Sequence, residues 1–121
     1  TRTAAHATEY VRMRSGTDIP LTWGMLHVIF KKGLEDKQFI DQRVYGMDDI
    51  RKAVEQWTPE ETERVTGVPA AQLERIATTF ATQKPATLIW CMGATQHTVG
   101  TANVRAFCTL LLATGNVGSS G

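Results

Sequence analysis

Cysteine is scarce in this chain. Cys91 and Cys108 are the two in 121 residues, too few and too far apart for a disulfide framework or a metal-ligand pattern. Both lie in apolar stretches, so they read as buried free thiols of a reducing compartment, and a cytoplasmic location is expected. An excess of one charge is missing too: 13 Lys and Arg stand against 12 Asp and Glu, a net charge of +1. No basic stripe marks a nucleic-acid face. No apolar run is long enough to cross a bilayer, and the polar N-terminal stretch does not read as a signal peptide. Internal repeats and low-complexity segments are absent.

What is present is ordinary globular material, 42% hydrophobic and 21% charged, in an amount suited to one domain. The chain opens on Thr1, and Gly118-Ser-Ser-Gly121 reads as a loop in mid-sequence. A piece of a larger protein is therefore expected.

Along the chain, residues 9–14 alternate, with Val11 and Met13 opposed to Tyr10, Arg12 and Arg14, which predicts a short strand. Ser15 to Asp18 forms a turn, and Asp18 is placed to cap the helix that follows, with Pro20 in its first turn and Gly33 at its end. Leu21, Met25, Val28 and Ile29 give that helix its face. Helices are predicted over 37–43, with Phe39 and Ile40 inward, and over 48–56, with Ile50, Ala53 and Val54. Thr58-Pro-Glu-Glu61 is a capping box, and the helix it opens ends at Gly67. Pro69 opens the next, with Leu73, Ile76, Ala77 and Phe80 at i, i+3, i+4 and i+7, stopped by Lys84-Pro85. Ala86 to Met92 is almost continuously apolar, as a strand buried on both faces of a parallel sheet would be. After a polar turn, Gly93 to Gly100, the positions Val104, Phe107, Cys108, Leu111 and Leu112 form a helical stripe closed by Gly115. The expected fold class is α/β: a partial Rossmann-like cofactor-binding domain, mostly helical with a few parallel strands.

In such folds ligands sit where strands lead into helices. Two loops qualify, Arg14–Asp18 and Gly93–Gly100. Glycine lets backbone approach a ligand, and the following helix N-terminus favours an anionic group. Neither a G-x-G-x-x-G turn nor a Walker-type lysine is present. On spacing alone, a nucleotide loop and a plain turn both remain open.

The residues themselves go further. Trp90-Cys-Met-Gly-Ala-Thr-Gln-His-Thr-Val-Gly100, Asn103-Val-Arg-Ala106 and Leu111-Leu-Ala-Thr-Gly-Asn-Val-Gly118 closely resemble the molybdopterin oxidoreductase family, whose pattern is W-x-M-G-x-x-Q-H/Y/F, N-V-R and a helix ending L-x-T-G-N-x-G. Arg14-Ser-Gly-Thr-Asp-Ile-Pro-Leu21 is similar to the family's P-G-T-D-x-A-L element, and Thr1 to Ala4 to a T-x-T-A stretch. The motifs cover nearly the whole chain. Ala-Thr-Gln-His-Thr, His27-Val-Ile-Phe and Lys37-Gln-Phe-Ile look most like formate dehydrogenases. Nitrate reductases share much of the pattern. The large iron–sulfur subunit of NADH:quinone oxidoreductase carries the fold without the metal cofactor, and a free-standing binding module is a third alternative.

The resemblance implies that residues 1–121 form one partial domain in the molybdopterin guanine dinucleotide-binding region of a larger catalytic subunit. The complete enzyme would carry molybdenum or tungsten on that cofactor and an iron–sulfur cluster elsewhere, with none in this chain. Gly16, Thr17 and Asp18 would contact the guanine part, where a carboxylate can accept from a ring N–H and an amino group together; otherwise Asp18 simply caps its helix. Met92, Gly93 and Gln96 would reach the pterin, the thioether packing on its face and the amide pairing with its edge; otherwise they are a core methionine and loop residues. His97 would be a loop or cofactor-flanking residue, His6 and His27 structural or solvated, and Arg12, Arg14 and Arg105 near phosphates or, otherwise, exposed or ion-paired. Ser15 departs from the family's proline, and the acid of the family's D-P-R motif would precede Thr1. Neither cysteine is followed by the histidine that accompanies the family's metal-ligating residue, and the family's downstream arginine would follow Gly121. The piece should therefore catalyse nothing alone. Its expected partners are the rest of the catalytic subunit and the electron-transfer subunits, with self-association of the isolated piece through the stripe at Val104–Leu112.

Overall fold

The computed structural model describes residues 1–118, so the remainder of the loop read at Gly118–Gly121 lies outside the described residues. Every regular element among them is a helix: α1 (Arg2–His6), α2 (Asp18–Lys31), α3 (Lys37–Arg43), α4 (Met47–Val54), α5 (Pro59–Thr66), α6 (Ala70–Thr82), α7 (Met92–Thr95) and α8 (Gly100–Ala113). The α/β expectation, with a few parallel strands, is thus corrected: no strand or sheet occurs among the described residues.

The reason lies in where the peptide groups go. The segment from Tyr10 to Arg14 alternates in exposure as read, with Val11 and Met13 packed on the core. Its backbone, however, is held by helices. The Tyr10 carbonyl accepts from the Gln72 side chain at 3.1 Å, and the Arg14 N–H donates to the Thr66 carbonyl at 2.8 Å. Alternating burial is a property of one chain, whereas a strand also needs a ladder partner. Residues 86–91 lack one as well. Far from being buried on both faces, Ile89 is 90% exposed and Trp90 is also exposed.

The middle helices follow their sequence signals. The Asp36 carboxylate caps α3 at the Phe39 N–H, 3.0 Å away, and the Thr58 hydroxyl caps α5 at the Glu61 N–H, 3.3 Å away. The return half of the capping box is not made; the Glu61 carboxylate instead accepts from Nε and Nη2 of Arg64. Left-handed glycines end α2 at Gly33, α5 at Gly67 and α8 at Gly115.

α2 is the axis of the fold and packs against α4, α5, α6 and α8. Neighbours on several sides bury more of it than one stripe, and Leu26 and Ile29 are fully enclosed with Leu73, Val54, Val68 and Leu110. Burying a side chain of this size contributes about 1.5–3 kcal/mol.

α8 turns a different face inward than its large residues predict. Asn103, Ala106, Leu110 and Ala113 are buried, whereas Val104, Phe107, Leu111 and Leu112 are half-buried and Cys108 is exposed. α8 is packed against α2, α3 and α7, so more than one face of it is covered. Both cysteines are exposed, correcting the expectation of buried thiols.

Two linkers tie the ends of this frame. The Asp36 N–H donates to the Ala113 carbonyl at 2.9 Å, and the Asp36 carboxylate pairs with Lys84 at 3.1 Å. Next to it the nearly buried Glu35 meets Arg51 at 3.1 Å, and that guanidinium lies 4.5 Å from the Phe30 ring centroid.

Candidate functional site

The first loop is bolted to the end of α5. The Arg14 guanidinium donates to the carbonyls of Arg64 at 2.6 Å and Val65 at 3.1 Å. It is exposed, as expected, but it holds carbonyls rather than an acid. A cation at the C-terminus of a helix is favoured by the helix dipole. The Thr17 hydroxyl donates back to the Arg14 carbonyl at 2.6 Å, closing the turn around Gly16, whose φ of +78° requires glycine.

Asp18 is the first residue of α2, and Thr17, not Asp18, occupies the cap position, without a side-chain capping bond. The Asp18 carboxylate accepts no hydrogen bond among the described residues, although the residue is only 9% exposed. The helix-capping alternative for Asp18 is therefore not realised, and its acceptor oxygens stay open at a helix N-terminus.

The second loop has an inner and an outer side. Inside, Ala94 is buried, and its carbonyl accepts from the side-chain amide of Asn103 at 2.8 Å; Asn103 is 2% exposed. A Cβ at Gly100 would run into the Thr95 carbonyl, so α8 can start only where glycine allows that contact. Outside, Met92 is 62% exposed, and Gly93 and Gln96 face solvent too. His97 folds back, its Nε2 lying 2.8 Å from the Gly93 carbonyl; since a carbonyl only accepts, Nε2 carries the proton. Gly93 has an ordinary negative φ and nothing within 4 Å of the place a Cβ would occupy. Neither backbone strain nor packing within the chain explains a glycine here.

The two loops precede α2 and α8, helices that pack on one another. Gly16, Thr17 and Asp18 sit together on one, and Met92, Gly93 and Gln96 on the other. No hydrogen bond joins the two groups among the described residues. An open groove of about 600 Å³ lies elsewhere, against α6, lined by Glu9, Lys32, Glu74 and Arg75, whose charges are already matched as Arg75–Glu9 and Lys32–Glu74 pairs. His27 is structural, with Nδ1 3.0 Å from the Val54 carbonyl.

A family model described as molybdopterin oxidoreductase matches residues 1–121. The chain belongs to the molybdopterin oxidoreductase family. It is 39% identical over 116 residues to "Formate dehydrogenase H" of Escherichia coli, covering 96% of this chain and 16% of that protein. It is 34% identical over 121 residues to "F420-dependent formate dehydrogenase 1 subunit alpha" of Methanococcus maripaludis, covering 100% of this chain and 18% of that protein. Among solved structures, acetylene hydratase from Pelobacter acetylenicus superimposes with a TM-score of 0.94 at 28% identity, over 99% of this chain and 16% of that one. The chain thus spans 16–18% of the length of these curated relatives.

Asn103, Gly100 and Arg14 hold the two segments through intrachain contacts that the sequence left unassigned. Asn103 carried one signal: asparagine inside an apolar helix is a poor helix former, and it usually stands there because its side chain has a backbone partner.

Proposed function

We propose that this chain is the cofactor-cradling part of a formate dehydrogenase catalytic subunit, binding molybdopterin guanine dinucleotide. In this reading Gly16, Thr17 and Asp18 meet the guanine end, and Met92, Gly93 and Gln96 meet the pterin. The observation that carries it is Gly93: a glycine that the chain's own conformation and packing do not need, flanked by an exposed thioether and an exposed amide. The residues fit the group. An amide supplies a donor and an acceptor to a pterin edge, a thioether packs on a flat heterocycle, and a carboxylate without an internal partner accepts from the guanine N–H and amino group. When bound, the molybdenum or tungsten centre would take the two electrons released as formate becomes carbon dioxide and a proton.

Formate is favoured as substrate because the 39% and 34% identities are to proteins named formate dehydrogenases, whereas identity to acetylene hydratase of Syntrophotalea acetylenica is 29%. An acetylene hydratase is also the second reading, since a cradle shared with the Pelobacter acetylenicus enzyme would leave the reaction to be decided outside these residues. The remainder of the catalytic subunit, with its iron–sulfur cluster, and separate electron-transfer subunits are the proposed partners. Free, exposed cysteines suit a cytoplasmic setting, and no helix among the described residues is long and apolar enough to cross a membrane.

The test uses the full-length protein. Asp18→Ala and Gln96→Ala should each lower bound pterin and metal per polypeptide while the protein still folds. Unchanged pterin and metal content in both variants would overturn the reading.

A further inference from the structure

We infer that Asn103 is the positioning residue of the pterin-facing segment: through its bond to the Ala94 carbonyl it fixes how Met92, Gly93 and Gln96 are presented. The inference rests on the cofactor reading above and adds a residue that touches no ligand.

α7 is a single turn of four residues, too short to hold itself together in water. Its internal bonds are the N–H groups of Ala94 and Thr95 to the Cys91 carbonyl and of Gln96 to the Met92 carbonyl. Something outside must hold the turn, and three contacts are available. His97 bonds the Gly93 carbonyl on the exposed side, the Gly100 backbone lies close against Thr95, and Asn103 bonds the Ala94 carbonyl in the interior. The first two follow the direction of the chain as it leaves the turn. Asn103 reaches across nine residues from a helix whose next buried positions are Ala106 and Leu110, so it ties the turn to the core itself. A bond made away from water is also the one whose loss leaves a buried acceptor bare. The side of α7 opposite this bond carries the exposed Met92 and Gly93. Rotation of the turn about its own axis would carry both away from a flat ligand, and Asn103 is the buried contact that opposes such rotation.

Asn103→Asp separates positioning from plain stability. A carboxylic acid in this buried place donates its O–H to the Ala94 carbonyl as the amide does, whereas the carboxylate cannot donate and repels that oxygen. Burial raises a carboxyl's pKa, so the acid form survives toward neutral pH. In full-length Asn103→Asp protein, the electron paramagnetic resonance spectrum of the bound metal centre should match that of the unsubstituted protein at low pH. It should move away from it as pH rises, while bound pterin stays constant and the unsubstituted protein shows no such transition. Asn103→Leu, of similar shape without a donor, should show the altered spectrum at every pH and lose about 100-fold in kcat with KM little changed, as misplacement of a reacting group does. A spectrum like that of the unsubstituted protein in both variants at all pH values would overturn the inference. Gln96→Ala separates it from the cofactor reading. If Gln96→Ala alters the spectrum and the Asn103 variants do not, only the positioning role falls; if none of the three alters it, the pterin contact itself is wrong. One measurement needs no variant: in cofactor-free full-length protein, the amides of Ala94, Thr95 and Gln96 should already be slow to exchange with deuterium, and exchange at open-loop rates would sink the idea.

Discussion

The Asn103 side-chain amide and the Ala94 carbonyl meet at 2.8 Å in the interior between α7 and α8. This bond joins the last helix to the turn before it and gives that turn a fixed inner face. Asn103→Ala should cost about 1–3 kcal/mol of unfolding free energy, because the carbonyl is left buried without its donor. Urea titration of the full-length protein and variant would measure it, and a loss near zero would mean that water replaces the amide.

Two glycines predict opposite behaviour. Gly93→Ala should leave the unfolding midpoint of the cofactor-free protein unchanged, since the new methyl group meets open space at an ordinary φ, yet it should lower bound pterin. Gly16→Ala, at a φ of +78°, should destabilise by about 1 kcal/mol through backbone strain. Thermal melts alongside pterin assays would separate the two.

Gly100→Ala should be worse than either. Its Cβ would press into a backbone carbonyl that cannot rotate away, and forced shifts of this kind cost about 1–3 kcal/mol. Far-ultraviolet circular dichroism against temperature is the check, with a lowered midpoint expected.

Ion pairs should divide by burial. Arg51→Ala strands the nearly buried Glu35 carboxylate and should cost about 3 kcal/mol. Arg64→Ala breaks an exposed pair with Glu61 and should be nearly silent in the same denaturation assay.

Asp36 should make stability depend on acid. The bond from the Phe39 N–H, and then Lys84, hold its carboxyl below the ordinary aspartate range. A group with a depressed folded value stabilises at pH above its unfolded value, and that contribution is lost as pH falls through the folded one. The stability gap between the unsubstituted protein and Asp36→Ala should therefore be full at neutral pH and close in strong acid. Asp36→Asn, which retains a helix-capping acceptor, should lose only the Lys84 part. A gap that stays constant with pH would contradict the assignment.

The helices from α2 to α6 were legible because their apolar spacing and end signals act locally: Thr58, Gly33 and Gly67 do in the structure what their chemistry predicts, although Asp18 does not cap α2. The sheet was not. Val11 and Met13 alternate in burial while their neighbours' peptide groups are held by helices, and an apolar run such as Ala86–Met92 does not say which way it faces. The α8 face differs for a third reason: the helix meets α2, α3 and α7 together, so its buried positions Asn103, Ala106, Leu110 and Ala113 do not follow the apolar stripe. Of the candidate residues, Gly16 and Thr17 lead into α2 as read, whereas Met92 and Gly93 lie in the short helix α7 and not at the end of a strand. What the sequence could not show was Asn103 reaching back across α7, because a side-chain bond over nine positions leaves no periodic trace.

The apolar stretch from Thr87 to Trp90 has a practical consequence. Its peptide groups form no backbone hydrogen bond among the described residues, and Ile89 faces outward. A ribbon of unfilled donors and acceptors with an oily rim behaves as an adhesive edge. For the isolated chain, storage concentration would then set how long a solution stays clear, and a lysine at position 89 is the change that should lengthen it.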